Sequence, residues 1–143
     1  LFRSLPFEEM SVNEYRQKFP QKAVTFYAQN YPAMGWAVFM AGGSCPVIPC
    51  TDKAFLKDAA AMEVEETNTD EYKKMVKSDI GSIIYSKSGT EIPVQLSSGK
   101  YILKYIHPAS GKIETINKSL KINGLYNLKV PDKKEGIYWF HKL

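Results

Sequence analysis

The sequence predicts an α+β protein in which N-terminal helices pack on a C-terminal antiparallel β-sandwich of about eight strands. Three observations lead there. Apolar residues recur at helical spacing up to Met62, then in short extended runs from Tyr72 onward. Turn signals become dense in that second part, at the spacing typical of sandwiches and barrels. Charge shifts at the same place: residues 1–68 hold six Lys/Arg against eight Asp/Glu, and residues 69–143 hold thirteen against seven. A helical segment over 1–68 and a β-domain over 69–143 are therefore expected.

The first helix is expected to open at Ser11, where the hydroxyl and the Glu14 carboxylate can form a capping box. It carries Tyr15 and Phe19 on one face and meets Pro20. Proline tolerates a first helical turn, so a second segment is expected through Ala23, Val24, Phe26, Tyr27 and Asn30. Pro32 permits a third, containing Trp36, Val38, Phe39 and Met40. It is apolar nearly all round and should be buried. Gly42-Gly43 ends it. A short extended piece from Pro46 to Pro49 follows, and then Thr51 or Asp52 caps a helix through Phe55, Leu56, Ala59 and Met62. The stretch Glu63 to Asp70 is acidic, lacks apolar periodicity and reads as a linker.

Eight β-like runs come next: Tyr72–Val76, Ser82–Tyr85, Ile92–Leu96, Tyr101–Ile106, Lys112–Ile116, Leu120–Ile122, Leu125–Val130 and Ile137–His141. Turn signals separate them at Asp79-Ile80-Gly81, Ser88-Gly89, Ser97-Ser98-Gly99, Pro108 to Gly111 and Asn123-Gly124. The Asn-Gly pair is the strongest hairpin signal, because a type I′ turn needs positive φ at both central residues.

All thirteen bases after residue 68 are lysines, and Lys100, Lys104, Lys118 and Lys121 fall among apolar residues as on the wet face of a sheet. Recognition of guanine or phosphate usually recruits arginine, so a solvated face is the favoured reading and no nucleic-acid partner is expected. No apolar run reaches the roughly 18–20 residues that a spanning helix needs. Cys45 and Cys50 read as two buried thiols, with a local disulfide as the alternative against two stiffening prolines.

No motif declares an enzyme. Gly42-Gly43-Ser44 lacks the lysine of a phosphate loop, and there is no Gly-x-Ser-x-Gly elbow or His-Glu-x-x-His. His107 and His141 read as sheet residues rather than general bases. Glu63, Glu65 and Glu66 read as a solvated run rather than a glycosidase pair. No catalytic, cofactor-binding or metal-ligating residue is therefore expected. Aromatics are the more suggestive set: Tyr85, Tyr101, Tyr105, Tyr126, Tyr138 and Trp139 all fall on expected strands. Core and cross-strand pairs use these residues, and so do platforms that stack on sugar rings. Tyr101, Tyr105, Tyr126 and Trp139 are the glycan-stacking candidates.

Residues 35–62 run from Gly-Trp-Ala-Val-Phe-Met-Ala-Gly-Gly-Ser through the Cys-Pro loop to Asp-Lys-Ala-Phe-Leu-Lys-Asp-Ala-Ala-Ala-Met. This resembles the end of a glycoside-hydrolase (β/α)8 barrel of the kind common in gut Bacteroidetes. Residues 83–114 carry a tyrosine-bearing strand, a second strand, a glycine turn, an aromatic strand and a Pro-x-x-Gly turn at Pro108 to Gly111. That pattern is similar to the C-terminal β-domain of the same proteins, often labelled collagen-binding. The resemblance implies the C-terminal part of an exported glycosidase-like protein, or a free-standing relic of one. The catalytic carboxylates of a barrel sit at the ends of several strands, nearly all of which are missing here. Gly42, Gly43 and Ser44 would border that cleft.

The expected function is a non-catalytic accessory region that stabilises or targets a glycan-degrading enzyme. Its expected partners are a polysaccharide or the catalytic barrel of a parent protein. The alternatives are a free-standing glycan- or protein-binding module and a small glycoside hydrolase. The expected location is secreted, periplasmic or cell-surface, with any export signal lying outside this chain.

Overall fold

The computed structural model describes residues 5–25, 33–44, 46–50 and 52–143. The chain forms two compact units, one comprising Leu1–Pro49 with Pro108–Ser110, the other Cys50–His107 with Gly111–Leu143. This division falls at Pro49 rather than at residue 68.

In the first unit, α1 spans Leu5–Lys18 and α2 spans Ala33–Met40. Helix α1 therefore starts before the expected capping box, and Ser11 sits inside it. Pro6 lies in its first turn, where a missing N–H costs nothing. The helix ends just ahead of Pro20, as a residue preceding proline is disfavoured in helical geometry. Residues 20–25 are turn and coil, so the start of the expected second helix is not helical, while Phe26, Tyr27 and Asn30 lie outside the described residues. Helix α2 matches expectation, with Trp36, Val38, Phe39 and Met40 all buried. Gly42 follows with φ 71°, the left-handed geometry that ends helices at little cost to glycine. Val12 of α1 packs with Val38 and Ala41, and the Arg16 guanidinium donates to the Gly42 carbonyl at 2.8 Å. The Trp36 indole donates to the Pro108 carbonyl at 2.8 Å.

The second unit carries α3 (Lys53–Ala61) and six strands: β1 (Glu63–Glu65), β2 (Tyr72–Lys77), β3 (Gly81–Ser86), β4 (Glu91–Ile106), β5 (Ile113–Lys129) and β6 (Gly136–Lys142). Asp52 caps α3 by accepting from the Phe55 amide at 2.8 Å. The strands form one sheet in the order β1-β2-β3-β6-β4-β5, with every pair antiparallel. The last strand thus inserts between β3 and β4. Among the described residues the fold is mainly β with three helices, and the strand count differs from the eight expected.

The difference has a local cause. Ser97-Ser98-Gly99 and Asn123-Gly124 are not turns between strands; they face each other across one long β4–β5 ladder. Leu96 pairs with Gly124 and Gly99 with Ile122, so the register slips at this point. Gly124 has φ 89°, which accommodates a bulge in a continuous strand as readily as a hairpin turn. The slip divides both strands into halves. Ile92, Val94 and Leu96 on one side of it, and Tyr101, Leu103 and Tyr105 on the other, join one core with Ile84, Tyr138 and Phe140. The Tyr126 ring meets the Phe140 ring at 5.7 Å, although β4 lies between their strands in the sheet order. The sheet therefore bends over its own inner face.

The opposite face carries α3. Phe55, Asp58, Ala59 and Met62 form a buried stripe at i, i+3, i+4, i+7, and the Phe55 ring meets Trp139 edge-on at 5.4 Å. Leu56, expected on the apolar side, is exposed. The expected linker starts with β1, whose Glu65 is ion-paired to Lys74 of β2. Close approach explains Gly81: a Cβ there would lie 1.8 Å from the Phe140 carbonyl oxygen.

Candidate functional site

Two polar clusters of the second unit gather the chemistry-bearing side chains. The first is centred on Asp58. Its position in the apolar stripe of α3 buries a carboxylate, which costs several kcal/mol (~) unless hydrogen bonds replace water. Strand β6 supplies them. Trp139 and His141 are two apart and so share a face. The Trp139 indole N–H donates to Asp58 Oδ2 at 2.9 Å, and His141 Nδ1 lies 2.7 Å from the same oxygen. A carboxylate only accepts, so Nδ1 carries the proton in this contact. His141 is half-buried, its ring tilted against Trp139 at 5.2 Å, and Nε2 has no hydrogen-bond partner among the described residues.

An aspartate that orients a histidine is the supporting half of many acid–base sites. Here Asp58 divides its acceptor oxygen between the histidine and a tryptophan in the core. The pair thereby fastens α3 to the sheet. Asp58 is absent from the candidates above, yet its signal was present: it stands three residues after Phe55 and four before Met62, on the face those two define.

The second cluster lies where β3 ends and β6 begins. The Tyr105 hydroxyl donates to the Glu135 carbonyl at 2.7 Å and the Tyr138 hydroxyl to the Lys134 carbonyl at 2.9 Å. The Tyr85 hydroxyl donates to the Glu135 carboxylate. Burial pushes the Tyr138 phenol up to about 12 and raises Tyr105 as well. Tyr85 is also raised, by burial first and then by the Glu135 carboxylate beside it. His107 Nε2 lies 2.9 Å from Glu114, and Lys112 lies 3.5 Å from it. The hydrogen bond from His107 holds the Glu114 carboxyl below its usual range. Tyr105 packs edge-on against His107 at 4.7 Å, and a Cβ at Gly136 would fall 2.6 Å from its ring.

These contacts locate the four stacking candidates. Tyr101 and Trp139 are 0% exposed and Tyr105 is 5% exposed, so none of the three turns a ring face to solvent. The Tyr101 hydroxyl donates to the Ser97 carbonyl at 2.7 Å, and Lys104 Nζ covers the Trp139 ring at 4.1 Å. Tyr126 is half-buried against the core. The four belong to two different faces, because Tyr101 and Tyr105 look into the bend while Trp139 looks toward α3. Glu63, Glu65 and Glu66 are exposed. Cys50 is a buried free thiol, and Cys45 lies outside the described residues.

Among the described residues no three His, Cys, Asp or Glu side chains gather as a metal site, and no helix is long and apolar enough to cross a membrane. In the first unit, a 340 Å³ recess is lined by Arg16, Gln21, Lys22, Gly42 and Ser44.

A family model described as a domain of unknown function, DUF6298, matches residues 6–62, which is less than half of the chain. No curated protein matches. A solved structure described as a glycoside hydrolase is similar over 55% of this chain at 15% identity, with a TM-score of 0.41. The match spans 19% of that structure's own chain.

Proposed function

We propose that this chain is a non-catalytic accessory region of a glycan-degrading protein, whose β-unit stabilises or targets the enzyme. The supporting observation is that the side chains best suited to grip or cleave a ligand are bonded inward. The Asp58 carboxylate is used by Trp139 and His141, and the Tyr101, Tyr105 and Tyr138 hydroxyls by main-chain carbonyls. Each such bond contributes about 0.5–1.5 kcal/mol to the fold, more where charge is involved, and each would have to break before the group met a substrate. The glycan-degrading half of the proposal comes from the barrel-like pattern over 35–62 and the β-domain pattern over 83–114. A region of this kind would work in the periplasm, at the cell surface or beyond it.

The test is turnover of aryl glycosides by the purified chain, together with retention on polysaccharide gels. The accessory reading predicts no turnover above buffer. Hydrolysis that vanishes on a single carboxylate substitution would overturn it and restore the small-hydrolase alternative.

A further inference from the structure

Strands β4 and β5 are paired so that Lys100 stands directly opposite Lys121. Their neighbours Tyr101 and Ile122 are buried in the core, so alternation turns both lysines to the outer face. Directly opposed residues on an antiparallel pair have Cβ atoms about 5 Å apart, and like charges at that spacing destabilise the sheet. Lys104 follows on the same face of β4, with its ammonium above the Trp139 ring. Lys118 is exposed in the bulged stretch of β5 between Asn117 and Leu120. None of the four is ion-paired among the described residues. Three acids of this unit are engaged elsewhere, Glu114 with His107 and Lys112, Glu65 with Lys74, and Asp58 with His141, and Glu91 of the same ladder stands opposite Lys129 rather than this pair.

The ladder thus keeps an opposed lysine pair, with Lys104 beside it, where one Lys→Glu change would create a favourable cross-strand pair. A ligand that supplies negative charge accounts for it. The charges are lysines, hydrated points rather than the planar forks that read phosphate and bases. The aromatics flanking them, Tyr101 and Trp139, are buried, so single-stranded nucleic acid finds no stacking platform. We infer that this face binds an acidic polysaccharide, a polymer of uronate or sulfated sugars that sets an anion at regular steps along the row. The inference names the ligand class for the accessory reading and rests on it.

The test is affinity electrophoresis of the full chain in gels containing polygalacturonate or chondroitin sulfate, with hydroxyethyl cellulose and oligo-dT as the neutral polymer and the non-sugar polyanion. Acidic polysaccharide should retard the chain, with affinity falling roughly 20-fold between about 50 and 200 mM NaCl, as expected for three or so neutralised anions. Lys100→Gln/Lys121→Gln should weaken binding at least tenfold. Lys87→Gln/Lys133→Gln, which removes the same charge from turns, should leave it within about twofold. The first double variant should also melt about 1–3 °C higher than the parent, because the opposed charges are gone, so its loss of binding would not be unfolding. Equal retention by oligo-dT, equal loss in the turn variant, or no retardation by either acidic polymer overturns the inference. Retention by the neutral polymer alone also overturns it while leaving the accessory reading in place, whereas glycoside turnover would overturn that reading whatever the chain binds.

Discussion

Replacing Asp58 by alanine should cost the β-unit about 2–3 kcal/mol, and the structure shows where that comes from. The substitution leaves the Trp139 indole N–H without an acceptor in a position that is 0% exposed. An unsatisfied buried donor costs about 1–3 kcal/mol. The partner contact to His141 adds less, because that ring is half-buried and water can replace the carboxylate. For a protein of this length the sum corresponds to a melting shift of about 5–10 °C. Asp58→Asn should be milder, about 1 kcal/mol, since an amide oxygen at the Oδ2 position still accepts from both the Trp139 indole N–H and the His141 Nδ1–H, losing only the charge. The assay is urea unfolding followed by far-UV circular dichroism, with Trp139→Phe completing a double-mutant cycle. A coupling of about 1–2 kcal/mol between Asp58 and Trp139 is expected. If Asp58→Ala unfolds within about 0.5 kcal/mol of the parent, the clamp between α3 and β6 contributes nothing and the reasoning fails.

Other outcomes follow from the same contacts. Trp139→Ala should destabilise by about 3–5 kcal/mol and abolish soluble expression rather than remove binding from a folded chain, because the ring fills the space against Phe55. Gly81→Ala should fail to fold, as its Cβ would sit on the Phe140 carbonyl oxygen; a soluble variant with unchanged melting would contradict the β3–β6 register. The phenols of Tyr85, Tyr105 and Tyr138 are raised in the fold relative to the free value of about 10. The folded state therefore holds their protons more tightly, and the stabilisation is complete below about pH 10 and is lost as pH rises beyond it, for Tyr138 through about 12. Tyrosinate absorbance should show part of the nine tyrosines titrating together with loss of dichroism; all nine ionising near pH 10 in a folded chain would refute it. Glu114→Gln should shift melting by less than about 2 °C, since the His107 and Lys112 pairs are at the surface.

Much of the fold was legible because local signals agreed with tertiary demands. Asp52 capping α3, the apolar α2 closed by Gly42, and the short strands β2, β3 and β6 all follow from caps, periodicity and turns within a few residues of one another. The misreadings fall where one local signal serves two structures. Asn123-Gly124 offers positive φ, which a hairpin and a bulge both use, and nothing nearby tells them apart. Pairing partners far along the chain decided it, since Leu96 sits opposite Gly124. In the same way β1 exists because β2 provides an edge and Lys74 an ion pair, neither of which shows in the acidic run itself. The aromatic candidates were ambiguous for the opposite reason. Period-2 alternation says that Tyr101 and Tyr105 share a face, and only the bend at the bulge makes that face the interior. Asp58 was hidden by its charge, although the spacing of its neighbours placed it inward.

The most direct test compares Trp139→Phe with the parent on two readings from one sample, unfolding midpoint and retardation by polygalacturonate. Loss of the indole N–H should lower the midpoint while binding per folded molecule stays the same, because that side chain is 0% exposed and bonded to Asp58 of α3. An unchanged midpoint with lost binding would mean that Trp139 serves a ligand, and the account of an inward-bonded, accessory β-unit would be wrong.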